Sequence, residues 1–166
     1  TLVVFLSDHG MSFPFSKASV YFNGTWSPVV LRWPGMPEAK EHRAFVSSVD
    51  VMPTVLDILG VAKPAGLDGV TWLPLIRGET QANRDFVVTH VNTVSSGSSL
   101  PQRCIRTKTQ SLMFHAWADG KTRFKVEAMS GRSYKALAGA AMTDARIKGR
   151  VDQSANGCGN AVEIDA

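Results

Sequence analysis

The chain opens on Thr1–Leu6 (TLVVFL), a short, β-branched apolar run with no polar alternation. Unbroken apolar runs of this length fit strands covered on both faces, as in the parallel sheet of an α/β protein. The run stops abruptly at the polar turn Ser7-Asp8-His9-Gly10. A second such strand is expected at Pro28–Trp33 (PVVLRW), stopped by Pro34-Gly35. From Val46 to Leu59, apolar residues recur at 46, 49, 52, 55, 56 and 59, close to a 3.6 period. Ser48 or Asp50 can cap the start, Pro53 is tolerable in the first turn, and Gly60 can close the end. One helix is expected over 48–59.

The pattern changes after a loop-rich stretch at 63–83. Short strand-like runs follow at 85–91, 102–107, 111–117 and 122–128, with Asp119-Gly120 as a hairpin signal between the last two. An antiparallel sheet is expected there. A helix is expected over 133–148, with Tyr134, Leu137, Ala138, Ala141, Met142 and Ala145 on one stripe. The domain reading is therefore 1–84 as the end of an α/β domain, 85–151 as a small antiparallel α+β subdomain, and 152–166 as an atypical tail, with disorder as one reading of it. A chain that starts on Thr1 and runs straight into a strand is expected to be a piece of a longer one.

Charge divides the chain the same way. Residues 1–85 carry 7 basic and 8 acidic side chains, and residues 86–166 carry 11 and 6. A basic half suits an anionic partner, but a solvated basic face explains it equally well. No helix-turn-helix, zinc finger or aromatic RNA-binding signature accompanies it, so nucleic acid is not expected as a partner. No apolar run approaches the ~18 residues of a membrane span, and no signal peptide is present in these residues. With only Cys104 and Cys158, neither a disulfide-dense scaffold nor a four-cysteine zinc module can form.

The chemistry-bearing feature is Asp8-His9 at the carboxyl end of the first strand, where ligands collect in open α/β sheets. A carboxylate beside an imidazole can ligate a metal or act as acid and base. An Asp after a strand is also a common turn-former. Lys17 lies nine residues beyond Asp8, after a loop without helix or strand pattern that can fold it back beside the pair. A metal plus an ammonium would suit a tetrahedral oxyanion such as sulfate or phosphate. Asp50 and Asp57 read as a cap and a surface residue. Asn23-Gly24-Thr25 fits a glycosylation sequon and equally a turn.

Four blocks, TLVVFLSDHG, FSKASVYFNGTWSPVVLRWPGM, VSSVDVMPTVLDILGV and LDGVTWLPLIRGE, occur in this order across Thr1–Glu79. Together they resemble the sulfatase family of the alkaline-phosphatase-like superfamily. The later RCIRTKTQSLMFHAWADGKTRFKVEAMSGRSYKAL is similar to the carboxy-terminal part of sulfatases related to N-sulfoglucosamine sulfohydrolase. The resemblance extends to about Val151. It implies an α/β fold: the carboxy-terminal part of a mixed sheet flanked by helices, plus a small antiparallel sheet with a packed helix.

The resemblance also implies site roles. Asp8 and His9 match the pair that binds a divalent cation, usually calcium. Lys17 matches the basic residue that contacts sulfate. His9 offers nitrogen where calcium prefers oxygen, which leaves manganese or zinc as alternatives. His90 and His115, in strands near a sulfatase pocket rim, are second-rank candidates for substrate contact. A sulfated sugar or glycosaminoglycan is the implied substrate, and the periplasm, lysosome or exterior the implied location. The oligomeric state is not legible. Phosphate or phosphonate ester hydrolysis, or a non-catalytic glycan-binding remnant, are the alternative readings.

Two departures stand out. Sulfatases use a formylglycine made from Cys or Ser in a Cys/Ser-x-Pro-x-Arg motif, and neither Cys104 nor Cys158 has the following Pro and Arg. The nucleophile is expected upstream and the chain alone is expected to be inactive. The tail from Asp152 lacks the strand-forming continuation of relatives, and a shifted reading frame is one explanation.

Overall fold

The computed structural model describes residues 1–81, 84–119, 121–156 and 160–164. Chain contacts separate two compact units: Thr1–Phe5 with Val30–Val87, and Leu6–Val29 with Val88–Ala166. The segment carrying Asp8, His9 and Lys17 thus belongs with the antiparallel part. The boundary expected from the sequence places it instead with residues 1–84.

In the first unit, β1 (Val3–Leu6) pairs with β2 (Val29–Arg32) as a two-stranded sheet. Both strands form where the β-branched runs predict them. Val3 and Phe5 are 52% and 62% exposed, because this sheet has two strands and no covered second face among the described residues. The expected helix appears as a single 3-10 turn, Ser48–Asp50, running into α2 (Val51–Ile58), and Gly60 follows at positive φ. Pro53 sits in the first turn of α2, where its missing N–H costs nothing. A short α3 (Leu73–Ile76) follows.

In the second unit, α1 (Phe22–Thr25) precedes a four-stranded sheet ordered β3 (Val87–Thr93), β4 (Ser99–Arg106), β5 (Gln110–His115) and β6 (Asn160–Ile164). β4 and β5 are antiparallel, with Gln102 opposite His115, Cys104 opposite Met113 and Arg106 opposite Ser111. Their period-2 alternation puts Leu100, Gln102, Cys104, Arg106, Ser111, Met113 and His115 on the buried face.

Two sequence expectations change here. The strand expected at 122–128 does not form. Asp119 Oδ1 accepts from the N–H groups of Lys121 and Thr122, 2.8 and 2.6 Å away, and turns the chain away from the sheet. Residues 122–126 then run without regular structure, with Phe124 stacked on Trp117 and Val126 buried. The place beside β5 is taken by β6, which pairs with it antiparallel. Residues expected as an atypical tail therefore contribute to α5 and β6; Cys158 and Gly120 lie outside the described residues. The helix expected over 133–148 is two helices, α4 (Arg132–Ala140) and α5 (Ala145–Asn156). Asp144 separates them because its carboxylate accepts from the Arg146 N–H at 2.8 Å, an N-cap that starts a new helix.

Candidate functional site

The loop from Ser7 to Thr25 is held by backbone packed against backbone. The Gly10 N–H donates to the Gly24 carbonyl at 3.1 Å. A Cβ on Gly10 would lie 1.8 Å from the Asn23 carbonyl oxygen, and one on Gly24 would lie 2.4 Å from that of Ser16. Only glycine fits at either position. The Asn-Gly pair at 23–24 is thus a site of close approach inside α1. The hydroxyls of buried Ser16 and Ser19 donate to the Asn23 and Ser16 carbonyls at 2.8 and 2.7 Å.

Lys17 sits between two strained residues. Phe15 and Ala18 both have φ of 61°, the left-handed region that non-glycine residues rarely adopt. Such strain of about 1–3 kcal/mol per residue persists only where the surroundings over-determine the backbone. Here they do. The Lys17 N–H donates to the Met11 carbonyl at 3.2 Å, and the Gln102 side chain donates from β4 to the Ala18 carbonyl at 3.2 Å. Arg106, also on β4 and 5% exposed, reaches the Val20 carbonyl at 3.4 Å and lies over the Phe22 ring. Val20 and Tyr21 pack with Cys104 and Met113 as one core cluster. The antiparallel sheet is the seat on which the Lys17 loop is moulded. The Lys17 side chain is about one-third exposed, and its ammonium lies 3.3 Å from Glu127 Oε2.

Asp8 and His9 stay together at the start of the same loop. Asp8 Oδ2 lies 3.5 Å from His9 Nε2, and the Asp8 carboxylate is largely exposed. His9 Nδ1 lies 2.7 Å from the Gly10 carbonyl. A carbonyl can only accept, so Nδ1 carries the proton and Nε2 is left facing the carboxylate. A ligating His typically donates its other N–H to a backbone carbonyl in this way, so the pair fits two ligands of a metal site. No group of three or more His, Cys, Asp or Glu side chains clusters among the described residues.

The other candidates lie apart in character. His90 is exposed on β3. His115 is 6% exposed, inside a ladder of rings that runs Phe15, Tyr21, His115, Trp117, Phe124, with successive centroids 5.3 to 6.5 Å apart. Its Nδ1 has no hydrogen-bond partner among the described residues. Burial pushes the His115 pKa below its ordinary 6.5. The unfolded chain therefore takes up a proton that the folded chain refuses. The stability this contributes is complete above the unfolded pKa and is lost as pH falls through the folded one. The urea midpoint should drop more steeply below about pH 6.5 for the native chain than for His115→Gln, and equal slopes would contradict the assignment.

Sequence reasoning saw Asp50 only as a cap. It is fully buried and accepts four donors: the N–H groups of Ser47 and Val70 at 2.9 Å each, the Trp72 indole at 3.2 Å, and the Arg84 guanidinium. The Asp50 carbonyl accepts from Thr54 Oγ1, which in turn accepts from the Trp72 N–H. The cap itself is Ser47, one residue before the expected Ser48, with Asp50 as the third residue of a capping box; the partners 20 to 34 residues away have no signature in the sequence.

An α/β unit and an antiparallel sheet carrying a moulded lysine loop make a mixed α/β chain of the alkaline-phosphatase-like fold. Residues 8–124 match the family model for "N-sulphoglucosamine sulphohydrolase, C-terminal", and the chain belongs to that sulfatase family. Rat (Rattus norvegicus) arylsulfatase K is 31% identical over 127 residues, 72% of this chain and 23% of the relative. The chain thus spans about a quarter of the length of the curated relatives that it matches. Among solved structures, a 2-O GAG sulfatase superposes with a TM-score of 0.59 at 22% identity, covering 99% of this chain and 39% of that one. A phosphonate monoester hydrolase from Silicibacter pomeroyi does so with 0.56 at 21%, covering 92% and 36%. These two likenesses show the fold. No helix among the described residues is long and apolar enough to cross a membrane.

Proposed function

We propose that this chain supplies one wall of the active site of a sulfatase acting on sulfated sugars, by hydrolysis of sulfuric esters or sulfamates. The observation that carries the reading is the Lys17 loop: an ammonium flanked by two left-handed residues and anchored to β4, in the loop that begins with the Asp8–His9 pair. Lys17 is the sulfate contact. Its donors are charged, so their pull strengthens as negative charge builds on the sulfate oxygens in the transition state. Asp8 and His9 are two ligands of a divalent cation, calcium by family habit, with manganese or zinc as alternatives given the His9 nitrogen. Bound there, the cation would neutralise sulfate charge.

His90, exposed on β3, is the rim candidate for the sugar, and His115 a candidate only from within the ring ladder. Export to the periplasm, the lysosome or the exterior follows the family. Ser99-Leu100-Pro101-Gln102-Arg103 is the one Cys/Ser-x-Pro-x-Arg match in the 166 residues, but it runs along the strand β4, so the attacking role is not assigned to it and no sulfate release is expected from this chain by itself.

Titration of the full chain with glucosamine 6-sulfate, followed by amide resonances, tests the reading. Shifts should concentrate on residues 8–19, with unsulfated glucosamine as an inert control. A response confined to the basic stretch 103–135, or one equal for both sugars, would contradict it.

A further inference from the structure

We propose that Glu127 makes the Lys17 site discriminate by ligand charge, favouring singly charged sulfate esters over doubly charged phosphate esters; this rests on Lys17 being the oxyanion contact. Sulfate and phosphate groups share tetrahedral shape and oxygen acceptors, so shape alone separates them poorly. Charge separates them well. A sulfate ester carries one negative charge, whereas a phosphate monoester carries about 1.5 to 2 near neutrality, with a second pKa near 6.

Glu127 is built into position. It opens a 3-10 turn, Glu127–Ser130, between buried Val126 and Ala128, and the Ser130 hydroxyl closes that turn onto the Glu127 carbonyl at 2.7 Å. Its carboxylate is more than half exposed and 3.3 Å from the Lys17 ammonium. Lys17 is equally fixed by its strained loop. An anion reaching the remaining N–H groups of Lys17 must settle beside the Glu127 carboxylate. Lys17 by itself would reward each additional ligand charge. With Glu127 alongside, the pair is close to neutral at ligand distance, and the second charge meets repulsion instead. Discrimination thus comes from a repulsive element placed next to the attractive one.

The test compares dissociation constants of glucosamine 6-sulfate and glucosamine 6-phosphate for the full chain at fixed ionic strength and about pH 8, where the phosphate is fully doubly charged. Glu127→Gln keeps side-chain volume on an exposed residue, and Glu127→Ala serves as a second variant with the same expected sign. Both should tighten the phosphate ester about three- to ten-fold more than the sulfate ester. An equal change for the two esters, or a weakening of both, would overturn the role given to Glu127. Binding by the native chain that Lys17→Gln leaves untouched would overturn the Lys17 reading itself, a result separable from the first.

Discussion

Replacing Asp50 with alanine should destabilise the first unit by about 3–5 kcal/mol, the cost of breaking a buried ion pair by removing one partner. The domain total is only about 5–15 kcal/mol, so the unit would be marginal or unfolded. The physical reason is the number of donors left behind. Arg84, 14% exposed, would keep a desolvated charge with no carboxylate. The Trp72 indole and the N–H groups of Ser47 and Val70 would lose their acceptor as well. The same carboxylate joins the start of α2 to the strand of chain that leads into α3, so its loss uncouples the two. Hydrogen exchange at the α2 amides reads the effect locally. Arg84→Met should cost less, because the three neutral donors still hold the carboxylate. Asp57→Ala, which removes an ion pair with Lys63 at the surface, should stay within about 1 kcal/mol. A loss below that level for Asp50→Ala would contradict the hub.

The second large effect is expected at Gly24. A methyl there would enter the space of two backbone carbonyl oxygens, those of Ser16 and Ser19 at 2.4 and 2.7 Å, and neither can rotate away. Overpacking of this kind costs about 1–3 kcal/mol or more, and here it pushes directly on the residue before Lys17. Gly24→Ala should lower the melting temperature and abolish sulfated-sugar binding together. Gly139 is the control. It lies in α4 with open space where a Cβ would go, so Gly139→Ala should be neutral or stabilising by up to about 1 kcal/mol. If Gly24→Ala melts and binds like the native chain, the loop is not the rigid seat described here.

How much of this the sequence disclosed depends on the range of the interaction. β1, β2, α2 and the β4–β5 pair are written in local periodicity, and each forms within a few residues of its expected place. The order Asp8, His9, Lys17 is also local. What holds Lys17 is not: Gln102 and Arg106 reach the loop across 84 and 86 residues, and Glu127 across 110. No short-range pattern announces those pairings. The strand misread at 122–128 has a different cause. Asp119-Gly120 carries the composition of a hairpin turn, but the Asp119 carboxylate spends itself on the next two N–H groups and redirects the chain. Asp144 does the equivalent at the α4–α5 break.

These placements converge on one claim: a sulfate group binds at Lys17. The direct measurement is the dissociation constant of glucosamine 6-sulfate for the native chain and for Lys17→Gln and Lys17→Arg, at constant ionic strength. A hydrogen bond to a charged group contributes about 1.5–3 kcal/mol, so Lys17→Gln should weaken binding at least about ten-fold. Lys17→Arg, which keeps the charge, should recover part of the loss. Equal affinity for the native and Lys17→Gln chains, with the fold intact, would contradict the account at its centre.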